Sequence, residues 1–154
     1  MKGSYILVLH LDQPVTGLVV GRLGQFDFAA GFYLYVGSAF GAGGLASRLA
    51  YHQRVKARPH WHIDYLRAHA ALHEIWSVAA SARMECRWCQ ALLVHPAVSA
   101  PIPGFGSRDT GCFSHLFYCP HAPPSNLLAG IVLGAITTDQ SAEFQIEIQR
   151  FDAA

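Results

Sequence analysis

Five side chains in this sequence have the types expected of a site that handles phosphate and protons. They are two phenols, a guanidinium, an imidazole and a carboxylate, which belong to Tyr5, Tyr35, Arg48, His52 and Glu85. The guanidinium of Arg48 is a planar fork that can hold two phosphate oxygens and stays charged at every relevant pH. Glu85 offers an anionic oxygen suited to Mg²⁺ or Mn²⁺, for which one carboxylate with several waters is ordinary ligation. These groups meet the demands of breaking a phosphodiester bond, namely an activated water and stabilised phosphoryl charge.

Two of these residues compete for the role of the base that activates water. The imidazole of His52, with an ordinary pKa of about 6.5, is chemically the easier base. The phenol of Tyr35 has an ordinary pKa of about 10, although neighbouring cationic charge favours the phenolate. The residue chemistry leaves the choice between them open.

Strands and helices must bring these side chains together, and the hydrophobic pattern predicts an α/β (α+β) domain. Strands are predicted over residues 4–11, 32–36, 73–79 and 116–118, with a hairpin over 15–28 that makes the first quarter a meander. Helices are predicted over 45–52, 61–66 and 84–94, the last with Cys89, Leu92 and Leu93 facing inward. The expected architecture is a small, mostly antiparallel central sheet flanked by helices. Arg48 and His52, at i and i+4, should share one helix face.

The order of the motifs resembles that of the GIY-YIG nuclease superfamily. Gly3-Ser4-Tyr5 matches the first motif and Tyr35-Val36-Gly37 the second. The stretches GGLASRLAYH, RPHWHIDYL, MEC and PGFGSRDTGCFSHLFY are similar to a narrower family of uncharacterised stand-alone proteins, labelled Uri-type endonucleases. The resemblance implies a GIY-YIG-like nuclease domain over residues 1–121, followed by a C-terminal extension over 122–154.

The same resemblance implies roles for the five residues. Tyr35 would activate the attacking water, Tyr5 would orient water or phosphate beside it, and His52 would share the proton handling. Arg48 would stabilise the transition state and Glu85 would bind the metal, which stabilises the leaving 3′ oxygen. The implied activity is a divalent-metal-dependent endonuclease that cleaves DNA in repair or processing, with RNA open as a second substrate.

The sequence departs from the family pattern at three places. The hairpin at 15–28 is an insertion that separates the two tyrosine motifs more widely than usual. Many members carry an asparagine near the site, whereas the only asparagine here is Asn126, in the extension; Ser114 or His115 could replace it. Thr110 stands where members of the narrower family tend to have a second cysteine.

Charge limits how the chain could bind nucleic acid. With 11 basic and 10 acidic side chains the formal net charge is only +1, so a polyanion site must be local. The expected nucleic-acid contacts are Arg54, Lys56, Arg58, Trp61, His62, Ser114 and His115. The same residues support a non-catalytic binding module, and Glu85 discriminates the two functions, since only a nuclease needs it.

The cysteines suggest a third function, that of a small zinc-stabilised structural or interaction protein. Cys86-x2-Cys89 and Cys112-x2-His115 form two pairs with the spacing of zinc ligands. Against this, Cys86 and Cys89 lie in an apolar helical pattern, where cysteines are more often small core residues. The pattern leaves both interpretations open.

The apolar segments at both ends are short. The run at 6–11 is too short for a signal peptide or a membrane span, so the expected location is cytoplasmic with no membrane contact. The run at 127–136 could add a strand, cover an apolar patch or mediate self-association. A homodimer is therefore an expectation to test.

Overall fold

A five-stranded antiparallel sheet forms the frame of this computed structural model, which describes residues 1–134 and 145–151. The strands are β1 (Gly3–Leu11), β2 (Val15–Val20), β3 (Gly24–Phe28), β4 (Gly31–Ala39), β5 (Ala71–Ala79), β6 (Leu116–Cys119) and β7 (Gln145–Arg150). The helices are α1 (Gly44–His52), α2 (His62–Arg67), α3 (Glu85–Leu93) and α4 (Ser125–Gly134). The strand order in the sheet is β6-β4-β1-β5-β7. The predicted α+β class, with its antiparallel sheet and flanking helices, is confirmed.

The central strand β1 is buried on both faces of the sheet. Leu7 and Leu9 pack into one hydrophobic core, whereas Ile6 and Val8 pack into a second core on the opposite face. A strand with two buried faces needs apolar residues at consecutive positions. This explains why the sequence of β1 does not alternate between polar and apolar residues.

The inserted hairpin stands apart from the main sheet. β2 and β3 pair only with each other among the described strands, and β1 pairs directly with β4, from Gly3 opposite Ala39 to Leu11 opposite Gly31. The predicted hairpin is therefore confirmed, whereas the predicted meander is wrong. The reason is that the apolar strands β1 and β4 bury more surface by pairing with each other than either would against the half-exposed hairpin.

Helices cover both faces of the sheet. Leu45 of α1 and Ile63 of α2 belong to the first core, and Trp88 of α3 and Leu128 of α4 to the second. In α3, Cys89 and Leu92 face inward as predicted, but Leu93 is 46% exposed. Leu93 is the last residue of the helix, and the larger side chain of Trp88 fills the inward position.

The C-terminal extension packs onto the same sheet. α4 buries Leu128 and Val132 in the second core, and β7 adds an edge strand beside β5. Residues 135 and 136 of the predicted apolar run lie outside the described residues. The division of the chain at residue 121 stays a prediction. Among the described helices, none combines the length and the apolar character needed to cross a bilayer.

Candidate active site

A cleft of about 460 Å³ lies beside the start of β1 and the end of β4. It is lined by Tyr5, Tyr35, Gly37, Ser38, Arg48, His60, Trp61, His62, Arg83, Glu85, Gly106, Arg108, Asp109, Thr110 and His115. Four of the five predicted catalytic side chains are in this list, and the fifth, His52, lies directly behind Tyr5. Residues distant in sequence thus converge because β1 and β4 pair and because α1 and α3 begin beside that pair.

Glycine backbone allows both phenols to pack closely. Tyr5 is paired with Gly37 across β1 and β4, and a Cβ atom on Gly37 would lie 2.4 Å from the Tyr5 ring carbon Cζ. Gly106 has a positive φ of 69°, and a Cβ atom there would lie 3.0 Å from Cε1 of Tyr35. The Tyr-x-Gly motif therefore has a physical reason, since the glycine leaves room for the other tyrosine ring.

Tyr5 and His52 form a buried hydrogen-bonded pair. The hydroxyl oxygen of Tyr5 and Nε2 of His52 are 2.8 Å apart, and the two side chains are 1% and 3% exposed. Burial raises the pKa of the Tyr5 phenol well above its ordinary value, against the opposing charge of Arg48. Burial lowers the pKa of His52 to about 4, which the Asp64 carboxylate only partly offsets. Both groups are therefore neutral at pH 7.

The His52 shift predicts how stability depends on pH. An unfolded chain protonates His52 near pH 6.5, whereas the folded chain resists protonation down to about pH 4. The unfolded state therefore binds more protons in this window, and the free energy of unfolding falls as the pH drops through it. Glutamine at position 52 cannot titrate. Between pH 7.5 and pH 4.5 the free energy of unfolding of His52→Gln is therefore expected to fall by roughly 2 kcal/mol less than that of the wild type. Urea unfolding at the two pH values measures both decreases, and equal decreases would refute the prediction.

Tyr35 lies in the cleft as a protonated phenol. Burial raises its pKa well above the ordinary value, the neighbouring Tyr5 phenol and the Glu85 carboxylate add to this effect, and Arg48 opposes it. The cationic charge that the sequence predicted as an activator is thus present, but burial outweighs it. The ring also stands edge-on to Phe105, with centroids 6.3 Å apart. Tyr35 is consequently better placed to donate a hydrogen bond than to act as a phenolate.

Arg48 faces the cleft from α1. Its Nη1 donates to the backbone carbonyl of Ser38 at 3.3 Å. Its Cζ lies 4.3 Å from the centroid of the Trp61 ring, a cation–π distance. The hydrogen bond contacts the edge of the guanidinium and the Trp61 ring contacts its face. Together they fix the orientation of the guanidinium plane. The arrangement suits a fork that binds an anion entering the cleft.

Glu85 is the first residue of α3 and faces the cleft. Its side chain is 13% exposed, and its Oε1 lies 3.9 Å from Nη1 of Arg83. A carboxylate is favoured at the N-terminal end of a helix by the helix dipole. Its charge adds to burial in raising the pKa of Tyr5 and of Tyr35. At His115 burial lowers the pKa, and the charge of Glu85 only partly opposes that shift. Glu85 therefore brings the negative charge to the centre of the predicted site.

The segment before α2 forms an aromatic wall of the cleft. Oδ2 of the buried Asp64 accepts hydrogen bonds from the backbone N–H groups of His60 and Trp61, each at 2.9 Å. Nδ1 of His62 accepts the N–H of Gly106 at 2.8 Å. Burial lowers the pKa of His62, so the neutral ring carries its proton on Nε2. The predicted contacts Trp61 and His62 are thereby fixed in orientation.

The other predicted nucleic-acid contacts lie in different surroundings. Arg54 and Arg58 are exposed, and Nζ of Lys56 lies 3.8 Å from the centroid of the Tyr51 ring. All three occupy the segment between α1 and α2, outside the cleft lining. Ser114 is buried, and its hydroxyl bonds to the backbone of Leu116 just before β6. The roles predicted for these residues stay predictions.

Two guanidiniums in the cleft, those of Arg83 and Arg108, were missed by the sequence reasoning. Arg83 stacks on Phe40, with Cζ 4.5 Å from the ring centroid. Arg108 is exposed in the loop before β6. The sequence did contain a feature that could have identified both residues. Arg83 directly precedes the MEC motif, and Arg108 lies inside the motif GFGSRDTGCFSHLFY. The cleft is thus more basic than the predicted residues alone suggest.

A cluster of sulfur and nitrogen ligands adjoins the cleft, whose lining includes His115. Sγ of Cys89, Sγ of Cys112 and a ring nitrogen of His115 all lie within 4.8 Å of one another, so these residues could hold a metal ion. Sγ of Cys86 is 2.9 Å from Sγ of Cys112. The two cysteine-containing pairs of the sequence therefore meet in space. Cys89 is also buried in the second core, so the two interpretations of this pattern do not exclude each other.

Comparison with known proteins gives one match. A family model described as "Domain of unknown function DUF123" matches residues 4–133. No curated protein and no solved structure matches the chain. The matched range contains every residue that lines the cleft, as well as the four cysteines. The description assigns no activity, so function has to be argued from the cleft.

Proposed function

We propose that this chain, which belongs to the DUF123 family, is a divalent-metal-dependent endonuclease that hydrolyses phosphodiester bonds in DNA. The observation that carries the proposal is that Tyr5, Tyr35, Arg48 and Glu85 line one cleft. Their chemistry covers water activation, phosphate binding and metal ligation. The resemblance to the GIY-YIG superfamily supports the same activity for this set of residues, and it suggests repair or processing of DNA as the cellular task.

Glu85 suits the divalent ion of this proposal. Its carboxylate is partly exposed, at 13% of the side chain, so water can complete the coordination of Mg²⁺ or Mn²⁺. The basic side chains of Arg48, Arg83 and Arg108 line the same cleft and would attract the phosphates that share the ion. When bound, the ion supplies positive charge that stabilises the leaving 3′ oxygen.

The guanidinium of Arg48 binds the phosphate that is cleaved. Ser38 and Trp61 hold its plane, so little side-chain freedom is lost when it engages two phosphoryl oxygens. Charge that develops on those oxygens strengthens this contact in the transition state, which is where an interaction accelerates the reaction. Arg48 is therefore a catalytic residue in this mechanism.

The attacking water loses its proton to the Tyr5–His52 pair. As the water oxygen bonds to phosphorus, the bond between phosphorus and the 3′ oxygen breaks, and the 3′ oxygen takes a proton from solvent. The proton of the attacking water moves to the hydroxyl oxygen of Tyr5, and the proton of Tyr5 moves to Nε2 of His52, 2.8 Å away. His52 is neutral at pH 7 because burial lowers its pKa to about 4, so a ring nitrogen is free to accept. Tyr35, which burial keeps protonated, orients the water. In this mechanism two neutral groups, Tyr5 and His52, take the proton of the water, and Tyr35 does not act as a phenolate base.

A cleavage panel tests the proposal. Labelled single-stranded, duplex, flap and branched DNA is incubated with the wild type and Mg²⁺ or Mn²⁺, and with chelator as a blank. Metal-dependent cutting is expected, and Arg48→Ala should reduce its rate by about 10²–10³-fold. Arg48→Lys should recover little, because an ammonium lacks the fork. Arg22→Ala, at an exposed arginine in the turn between β2 and β3 and outside the cleft, is the matched control and should cut normally.

One result would overturn the proposal. It is a wild type that is folded by circular dichroism and cuts none of the substrates with either metal. Equal loss in Arg48→Ala and Arg22→Ala would show that the loss does not arise in the cleft, and would contradict the catalytic role of Arg48.

A second candidate function is a nucleic-acid-binding module without chemistry. The stacking of Arg48 on Trp61 and of Lys56 on Tyr51 favours it, since such cation–aromatic pairs contact phosphates and bases in binding proteins. Its signature would be salt-sensitive binding of DNA or RNA with no cutting.

A further inference from the structure

The cleft, which His115 also lines, does not account for the convergence of three cysteines on that histidine. Cys86 and Cys89 lie on the first turns of α3, and Cys112 and His115 lie in the loop before β6. The ligand atoms of Cys89, Cys112 and His115 lie within 4.8 Å of one another, and Cys86 is in contact with Cys112. These four residues are called the Cys/His cluster below.

Apolar packing alone does not explain the Cys/His cluster. Cys89 is buried and could be a small core residue, but Cys86 is exposed and gains little from packing. His115 is only 3% exposed, and its backbone is fixed because its N–H donates to Phe105 and its carbonyl accepts from Val36. The fixed backbone thus holds a buried imidazole beside the thiols. Packing of a hydrophobic core does not require such an arrangement.

The geometry of the Cys/His cluster fits a tetrahedral ion. Zinc–sulfur bonds of about 2.3 Å place two ligand sulfurs about 3.8 Å apart. The spread of 4.8 Å across Cys89, Cys112 and His115 therefore has to contract only slightly. Sγ of Cys86 contacts Sγ of Cys112 at 2.9 Å but is not in the group whose ligand atoms all lie within 4.8 Å of one another. To become the fourth ligand, Cys86 has to rotate its side chain away from Cys112 and toward the ion; it lies on the exposed first turn of α3.

The donor set indicates which ion. Thiolate and imidazole ligands in a tetrahedral arrangement select zinc, whereas Mg²⁺ and Mn²⁺ prefer oxygen. Four protein ligands leave no open position for a substrate or a catalytic water, which is the pattern of structural zinc sites.

We propose that Cys86, Cys89, Cys112 and His115 bind a structural Zn²⁺ ion that fastens the start of α3 to the loop before β6. Both fastened segments carry residues of the cleft, namely Glu85 on α3 and Gly106, Arg108 and Asp109 in the loop. The ion therefore sets the distance between two walls of the cleft. It is separate from the divalent ion at Glu85, and its presence does not depend on the proposed nuclease activity.

Metal analysis of the purified protein tests the zinc site without DNA. The protein is expressed without a polyhistidine tag in zinc-supplemented medium, and is measured by native mass spectrometry and elemental analysis. One zinc per chain is expected in the wild type and in Cys119→Ser, a buried cysteine outside the Cys/His cluster. Cys112→Ser should bind zinc about 100-fold more weakly or not at all.

A second measurement covers the case in which Cys112→Ser fails to fold. Co²⁺ added to reduced, zinc-stripped wild type should give the visible absorption of a tetrahedral thiolate site, which one equivalent of Zn²⁺ abolishes. Wild type that purifies without zinc and gives no such spectrum overturns the proposal. So does a native mass two hydrogens lower from a Cys86–Cys112 disulfide that persists without metal.

Discussion

Replacing Glu85 with glutamine is expected to reduce metal-dependent DNA cleavage by about a thousandfold or more, because it removes the carboxylate that holds the divalent ion. Glutamine keeps the size of the side chain, and its amide oxygen is a much weaker ligand for Mg²⁺. The fold should survive, since losing a carboxylate at the first position of a helix costs only about 0.3–1 kcal/mol. The loss should therefore fall on catalysis.

DNA binding separates this outcome from a general loss of function. Glu85→Gln removes a negative charge from a cleft that also contains Arg48, Arg83 and Arg108, so binding measured by fluorescence anisotropy should stay equal or tighten. Asp109→Asn, which neutralises the other carboxylate of the cleft lining, is the matched control and should keep cleavage within about tenfold of the wild type. Equal losses in both variants would contradict the assignment of the metal to Glu85.

Gly37→Ala is expected to disable the site through a steric clash with Tyr5. The added Cβ atom would lie 2.4 Å from both Cζ and the hydroxyl oxygen of Tyr5, a distance that real Cβ atoms do not adopt. The ring has to move away, and its hydrogen bond to His52 is lost with it. Overpacking and a lost buried hydrogen bond should together cost about 2–4 kcal/mol. Cleavage should fall about a hundredfold as the proton relay is broken.

The matched control for this variant is Gly41→Ala in the neighbouring turn. A Cβ atom at Gly41 meets no atom within 4 Å among the described residues, so this variant should be as stable and as active as the wild type. Urea unfolding and single-turnover cleavage measure both variants. A Gly37→Ala protein that matches Gly41→Ala in both assays would show that the Tyr5 ring position is irrelevant.

Local sequence pattern predicted the elements of this fold because their signals are local. Gly41, Gly43 and Gly44 mark the turn between β4 and α1, and the apolar runs of β1 and β5 are long enough to identify strands. Pairing is not a local property, which is why the expected meander was wrong. Both Leu93 and Trp88 are apolar, so residue type alone could not show which of them faces the core from α3. That depends on the space between the helix and the sheet, and Trp88 occupies it.

The site was predictable to the extent that spacing along one element fixes it. Arg48 and His52 do share a face of α1, but only Arg48 lines the cleft, whereas His52 lies behind Tyr5. Tyr5, which bonds to His52, belongs to β1, a strand distant from α1 in the sequence. Arg83 and Arg108 were missed for the same reason, because loops reach the cleft only through tertiary contacts. Sequence spacing identifies which groups are available, and strand pairing decides where each one is used.

The central position of β1 also has a consequence for how the protein is made. β1 leaves the ribosome before both of its sheet neighbours, because β4 is synthesised after the hairpin and β5 only after α1 and α2 as well. Until then an apolar strand has two open edges, each a template for pairing with another chain. Such distant strand pairing also slows folding, to roughly milliseconds to seconds in small domains rich in it. Aggregation of the nascent or refolding chain is therefore the expected failure in production, and low temperature, dilution or a chaperone that covers residues 3–11 is the remedy that follows from the topology.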